Sequence, residues 1–308
     1  MTGSAGRLET IVRSGRFVVT SEVVPPRSAD PATVAAQARD LVGYADAVNV
    51  TDNPTATVHM SPLAGAAVVA RAGLEPTLQI TVRDRNRLAL AADLLGAWAL
   101  GARNLLCLTG DPIGIGDHPD AAPANDLDVA GLIRMAARLR DEGRLPSGAE
   151  IGEPPRYFVG VTDSPLAPAY DPARLEAKLD AGARFVMTQI VFDADALSDW
   201  ADLLRSRGVF ERTAMIVGVA PARSARHARY LEEHLPGVHV PGWLIQALEG
   251  ASEEAEAVGI AACVDLVGRL RAIHGVSGVH VVGLGRERVV RRVVEGAGLL
   301  PRPAVRTA

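Results

Sequence analysis

The sequence predicts an α/β chain that closes into a (β/α)8 TIM barrel, and three observations predict it. Eight short β-branched runs recur along 308 residues, a length within the range of one such barrel. A helix-length stretch separates most of these runs from the next, so each strand can return to a parallel neighbour. The first run is not followed by the glycine fingerprint of a doubly wound sheet. Residues 1–308 therefore read as a single barrel domain.

In chain order the strand candidates are Phe17–Val24, Ala47–Thr51, Pro76–Thr81, Asn104–Thr109, Tyr157–Thr162, Phe185–Val191, Ala214–Ala220 and Val279–Leu284. Between the first two, Pro31–Gly43 has helical character, with Asp30 placed to cap it. Before the sixth, Asp171–Ala181 carries Pro172 at the first helical position. Asp111–Asp128 is rich in Gly, Pro, Asp and Ala without a helical period, and predicts a long loop on the carboxyl side of the fourth strand. Glu142–Pro155 predicts an irregular segment on the opposite face, where insertions bear on stability rather than chemistry.

Hydrophobic residues make up 48% of the chain and charged residues 22%, enough apolar surface for a large aliphatic core. A formal charge of −4 and the lack of a dense basic run exclude a nucleic-acid backbone as the expected partner. Nothing in these counts opposes a homo-oligomer. Cys107 and Cys263 each sit in an apolar run with no zinc-ligand spacing, so both are expected as buried thiols. The histidines form no metal pair on a helix face, and His227, His234 and His239 are expected on the surface. No metal is predicted. The first sixteen residues lack the apolar segment of a signal peptide and no stretch reaches membrane-spanning length. The expected location is the cytoplasm.

Barrel chemistry sits at the carboxyl ends of strands. The strands end there in Ser21-Glu22, Thr51-Asp52-Asn53, Gln79 and Thr81, Thr109-Gly110-Asp111, Thr162-Asp163 and Thr188-Gln189. Glu22, followed by two valines in SEVVPP, suits a general acid, and equally a structural carboxylate paired with an arginine. Asp111 suits the N–H groups of a heterocycle, or the cap of its own loop. Gln189 offers a donor and an acceptor to an amide-like ring edge, or to its neighbours. Gly283-Leu284-Gly285 resembles a phosphate-binding turn but lacks a third glycine.

Five motifs in order then carry a family resemblance: Ser21-Glu22-Val-Val-Pro25-Pro26, Leu108-Thr109-Gly110-Asp111, Lys178-Leu-Asp180-Ala-Gly182-Ala, Thr188-Gln189-Ile-Val-Phe192-Asp193 and Val240-Pro241-Gly-Trp243. Together the chain resembles the methylenetetrahydrofolate reductases. Gln79 to Asn86 is similar to the reductase half of bifunctional homocysteine methyltransferase–reductases. The resemblance implies reduction of 5,10-methylenetetrahydrofolate to 5-methyltetrahydrofolate, within one-carbon metabolism and methionine biosynthesis. It implies Glu22 as the acid that protonates N10, and Asp111 and Gln189 as the pterin-binding pair. It further implies NADH or NADPH as electron source, with FAD held through Thr51, Thr109, Gly110, Asp111, Asp171 and Lys178.

Several positions depart from the flavin-binding pattern. Thr77 stands in place of a histidine and Thr109 in place of an arginine, and the Thr162–Pro168 loop lacks the usual tyrosine and histidine; Ala225 also replaces an aromatic residue that packs on the nicotinamide or folate. Direct hydride transfer without flavin is therefore a second implied route. A related folate-dependent oxidoreductase, a demethylation-linked enzyme and a non-catalytic folate-binding barrel are the other readings open to these residues.

Overall fold

The computed structural model describes residues 6–124 and 126–305. Eight strands, β1 (Val18–Val23), β2 (Ala47–Val50), β3 (Pro76–Thr81), β4 (Asn104–Leu108), β5 (Phe158–Asp163), β6 (Phe185–Ile190), β7 (Ala214–Val219) and β8 (Val276–Val281), form a closed barrel in sequence order. Every pairing is parallel, and β8 returns to β1 through Val18↔Gly278 and Thr20↔His280. Helix α1 (Arg7–Arg13) precedes the barrel; α2 (Ala32–Leu41), α3 (Pro62–Arg71), α4 (Arg87–Ala99), α5 (Val129–Glu142), α6 (Pro172–Asp180) and α7 (Ala194–Ser206) follow β1 to β6 in turn. Three helices, α8 (Ala225–His234), α9 (Gly242–Gly250) and α10 (Ala255–Leu270), lie between β7 and β8, and α11 (Glu287–Gly296) closes the ring.

Side chains alternate across each strand, and the burial follows that period. On β1, Val19 and Val23 join the main core against the helices, whereas Val18 joins a second cluster inside the barrel with Ala47, Leu106, Phe158, Phe185, Met187 and Ile216. Leu8 and Ile11 of α1 belong to that inner cluster and are fully buried, so α1 plugs the amino-terminal floor. Phe158 and Phe185 stack at 4.9 Å in the lower lumen, and a Cβ on Gly160 would stand 2.1 Å from the Phe185 ring. Glycine is what lets two aromatic rings share that layer.

Local signals place the helix ends. Asp171 Oδ1 accepts from Ala173 N ahead of Pro172, and Asp128 and Asp193 cap α5 and α7 in the same way. Pro31, not Asp30, is the capping position of α2, although Asp30 Oδ1 still accepts from Ala32 N at 2.9 Å. The eighth strand lies three residues earlier than the apolar run Val279–Leu284 suggests, because its ladder with β7 begins at Met215↔Val276 and shifts register immediately after.

Among the described residues, no helix is long and apolar enough to cross a membrane. Cys107 and Cys263 are both free and buried, and burial pushes each thiol up to about 12. Neither is expected to react with a thiol reagent at pH 8 until the chain unfolds. Titration with Ellman's reagent, with and without denaturant, checks this; a rapid reaction in the native state would contradict it.

His227 departs from the surface position expected for it. It is 9% exposed, because it shares the inner face of α8 with Ala225, Ala228 and Leu231. Burial, then the charges of Arg223 and Arg286, hold its imidazole below the ordinary value. His234 and His239 are exposed as expected.

Candidate active site

A cavity of 350 Å³ opens at the carboxyl end of the barrel, and Glu22, Asn49, Gln79, Thr162, Met187, Gln189 and His280 are among the side chains lining it. Larger hollows lie on the floor (760 Å³) and beside α5 (540 Å³). In the floor hollow the main charged groups are already matched, Arg7 and Arg302 on Asp46. Of these three, the mouth cavity gathers polar groups from six different strands, which is what a small polar heterocycle requires.

Glu22 is the fifth residue of β1, facing inward, and its side chain is 17% exposed. Among the described residues, no arginine pairs with it across the barrel. Its neighbour is His280 on β8, with Nε2 at 3.6 Å from Glu22 Oε2. The Thr20 hydroxyl reaches Val279 O at 3.5 Å, and its oxygen stands 3.0 Å from His280 Nδ1. With its own proton directed to Val279 O, the Thr20 oxygen is free to accept from an Nδ1–H, and the ring is held with Nε2 toward Glu22. The sequence reading did not single out His280. Its signal was a histidine in an apolar run; the expected strand Val279–Leu284 put it near the amino end, whereas β8 ends at Val281 and places it at the carboxyl end, where chemistry was sought.

Gln189 shares the cavity with Glu22. Its Oε1 accepts from Ile190 N at 2.9 Å, which fixes the amide and turns the NH2 end outward as donor. Asp111 does not line this cavity. It sits on the rim, where its Oδ2 accepts from Thr55 N at 2.6 Å and its carbonyl accepts from Arg83 at 3.1 Å. In this loop Asn53, Thr55 and Ala56 are non-glycine residues at φ between 44° and 54°. That backbone is unfavourable for a β-branched residue and persists only where neighbours hold it. Asp111 and Asp117 are the holders: Asp117 accepts from Val58 N at 3.2 Å and from Arg27 at 2.7 Å. Gly110 makes the turn before Asp111 possible, at φ +90° with Thr81 and Arg83 crowding the space a Cβ would take.

The other sequence-named residues are placed as follows. Thr51 is 6% exposed at the end of β2, and its Oγ1 has no hydrogen-bond partner among the described residues. Thr109 is exposed beside Gly110. Asp171 caps α6. Lys178 donates from Nζ to Thr162 O at 2.7 Å, bracing the strand end that lines the cavity; burial lowers its pKa, opposed by Asp163. Burial raises Asp163, against the hydrogen bond it accepts from Tyr170 Oη at 2.7 Å and the charge of Lys178. Asp52 is fully engaged by Thr81 and by both terminal nitrogens of Arg85. Among the described residues, no group of three or more His, Cys, Asp or Glu is placed to hold a metal.

Residues 7–298 match the methylenetetrahydrofolate reductase family. A probable methylenetetrahydrofolate reductase (NADPH) of Caenorhabditis elegans is 26% identical over 240 residues, covering 76% of this chain and 34% of that protein. The 5,10-methylenetetrahydrofolate reductase of Salmonella typhimurium is 26% identical over 235 residues, covering 75% of this chain and 73% of that protein. The chain thus spans about a third of the length of the C. elegans relative and about three quarters of the bacterial one. Among solved structures, a Clostridium thermocellum protein that binds two copies of 5-methyl-5,6,7,8-tetrahydrofolic acid superposes with a TM-score of 0.60 at 11% identity, covering 95% of this chain and 99% of that one. A 2,3-dimethylmalate lyase superposes at 0.51 with 13% identity, over 99% of this chain and 88% of that one, and like the first it speaks for the barrel alone. The match over residues 7–298 takes in every strand of the barrel, and the chain belongs to the methylenetetrahydrofolate reductase family, a family of oxidoreductases.

Proposed function

We propose that this chain reduces 5,10-methylenetetrahydrofolate to 5-methyltetrahydrofolate with NADH or NADPH as hydride donor. The observation that carries the reading is the sheltered Glu22 carboxyl, 3.6 Å from His280, in one cavity with Gln189. Glu22 gives its proton to N10 as the imidazolidine ring opens, leaving the one-carbon unit as a 5-iminium cation. Hydride then adds to that carbon, and the nicotinamide leaves oxidised. His280 holds the carboxyl in place and Thr20 fixes the imidazole. The Gln189 amide presents its NH2 to an acceptor on the pterin edge. Asp111 Oδ2 already takes Thr55 N–H, which leaves Oδ1 on the rim for an N–H of the folate.

Of the residues that the resemblance gives to a flavin, Asp111, Asp171 and Lys178 are engaged within the chain. Asp171 caps α6, and Lys178, the only cation of that set, is bound to Thr162 O beside Asp163. Thr51, with its unpartnered hydroxyl, remains suited to a ligand, but a hydroxyl does not balance a pyrophosphate. This donor set does not fit FAD, and no step is derived through it.

The test is an anaerobic assay of the purified protein with methylenetetrahydrofolate and NADH or NADPH, after recording its visible spectrum. A preparation without flavin absorption that oxidises the nicotinamide only when folate is present is the expected result. A protein with bound flavin would overturn direct transfer, and one that oxidises neither nicotinamide in the presence of the folate would overturn the reductase.

A further inference from the structure

Beneath the mouth cavity, three side chains carry oxygens that no protein group satisfies. Asn49, Thr77 and Asn104 are 1%, 0% and 0% exposed, and Asn49 Oδ1, Thr77 Oγ1 and Asn104 Oδ1 have no hydrogen-bond partner among the described residues. They are not scattered. Asn49 stands in register with Thr77 across β2 and β3, and Thr77 with Asn104 across β3 and β4. The same row begins at Glu22, the register partner of Asn49 across β1 and β2.

Strands in a barrel tilt and stagger, so a row in register descends through the wall as it passes from strand to strand. Glu22 is the fifth residue of β1, Asn49 the third of β2, Thr77 the second of β3 and Asn104 the first of β4. At the foot, Asn104 Nδ2 donates to Glu75 Oε1 at 2.8 Å, and Glu75 lines the 760 Å³ hollow on the floor. At the head, Glu22 and Asn49 line the mouth cavity. A continuous polar stripe therefore joins the two faces of a barrel whose axis is otherwise filled by Leu106, Phe158, Phe185 and the α1 plug.

A buried acceptor left dry is destabilising, and native proteins satisfy nearly all such groups with protein or ordered water. Side chains on register neighbours stand about 5 Å apart. One water with two hydrogen bonds of about 2.8 Å spans that distance. We propose that Asn49, Thr77 and Asn104 hold a file of ordered water that carries protons from the Glu75 end of the floor to Glu22, resupplying the acid while folate and nicotinamide fill the mouth. This rests on the reading of Glu22 as the proton donor. Each transfer moves one proton upward along the file and draws one from solvent at the floor; nothing is oxidised or reduced. The amide oxygens only accept, and so position the waters, whereas the Thr77 hydroxyl both accepts and donates and is the protein link in the relay.

Thr77→Val keeps the shape and removes the hydroxyl, and Thr77→Ser restores it. Expected for Thr77→Val is a fall in kcat of about tenfold with KM for the folate within about twofold of wild type, a larger solvent isotope effect, and recovery in Thr77→Ser. A wild-type crystal structure at high resolution is expected to place ordered water within hydrogen-bond distance of all three oxygens. A dry row overturns the file whatever the kinetics, which covers the case of a Thr77→Val protein that fails to fold. Waters in place with kcat and isotope effect unchanged in Thr77→Val overturn the proton supply. A wild type that reduces no folate overturns the reductase reading, and the proton role with it, while the crystallographic waters still decide whether the file exists.

Discussion

Glu22→Gln is expected to lower turnover of methylenetetrahydrofolate by about 10²–10⁴-fold, the contribution of a placed general acid, while the melting curve stays that of the wild type. The amide has the size of the carboxyl and still faces His280 Nε2, so the surroundings of Thr20 and His280 are preserved. What is lost is the proton for N10. KM for the folate is expected to stay within a few-fold, because Gln189 and Asp111 are untouched. Steady-state kinetics with either nicotinamide check the result. Near-normal turnover would show that another group protonates N10, with His280, one contact away, the first alternative to examine.

Asp46→Asn is expected to be the costliest single change to the fold, about 3–5 kcal/mol, the range for breaking a buried ion pair by removing one partner. Asp46 is fully buried at the floor. Its carboxylate accepts from Val19 N at 2.9 Å and pairs with Arg7 at 2.9 Å and with Arg302, whose side chain is only 6% exposed. One anion thus fixes α1, the start of β1 and the carboxyl-terminal segment at one point. Asparagine of the same size leaves the Arg302 guanidinium buried without its counter-charge, and the chain relieves this by releasing the terminal segment from the floor. Urea unfolding is the measurement. A midpoint equal to wild type would mean that the three segments hold the floor without the charge.

The period of the chain disclosed the barrel because parallel strands covered on both faces leave near-continuous apolar runs, and helices between them leave another period. Pro76–Thr81 was legible to the residue. Val276–Val281 was not, because its start is set by pairing with Met215 and by closure on β1 rather than by its own apolar content. The site was legible in part. Glu22 and Gln189 were marked by polar chemistry at strand ends, and they meet in one cavity. His280, Asn49, Thr77 and Asn104 were not marked, because a lone polar residue in an apolar run carries no local sign of which face it occupies. Asp111 shows the converse: a motif position whose oxygen the fold directs to a strained loop as well as to the mouth.

By itself, then, the sequence determined the eightfold strand–helix order, the aliphatic core and the carboxyl group at the head of the first strand. These follow from period and residue type, which are local. Only the tertiary structure decided that β8 lies beside β1 and so brings His280 to Glu22, and that stagger lines up Glu22, Asn49, Thr77 and Asn104 as one descending row. Those are contacts between residues as much as 258 positions apart, and barrel closure, not any short-range preference, sets their register.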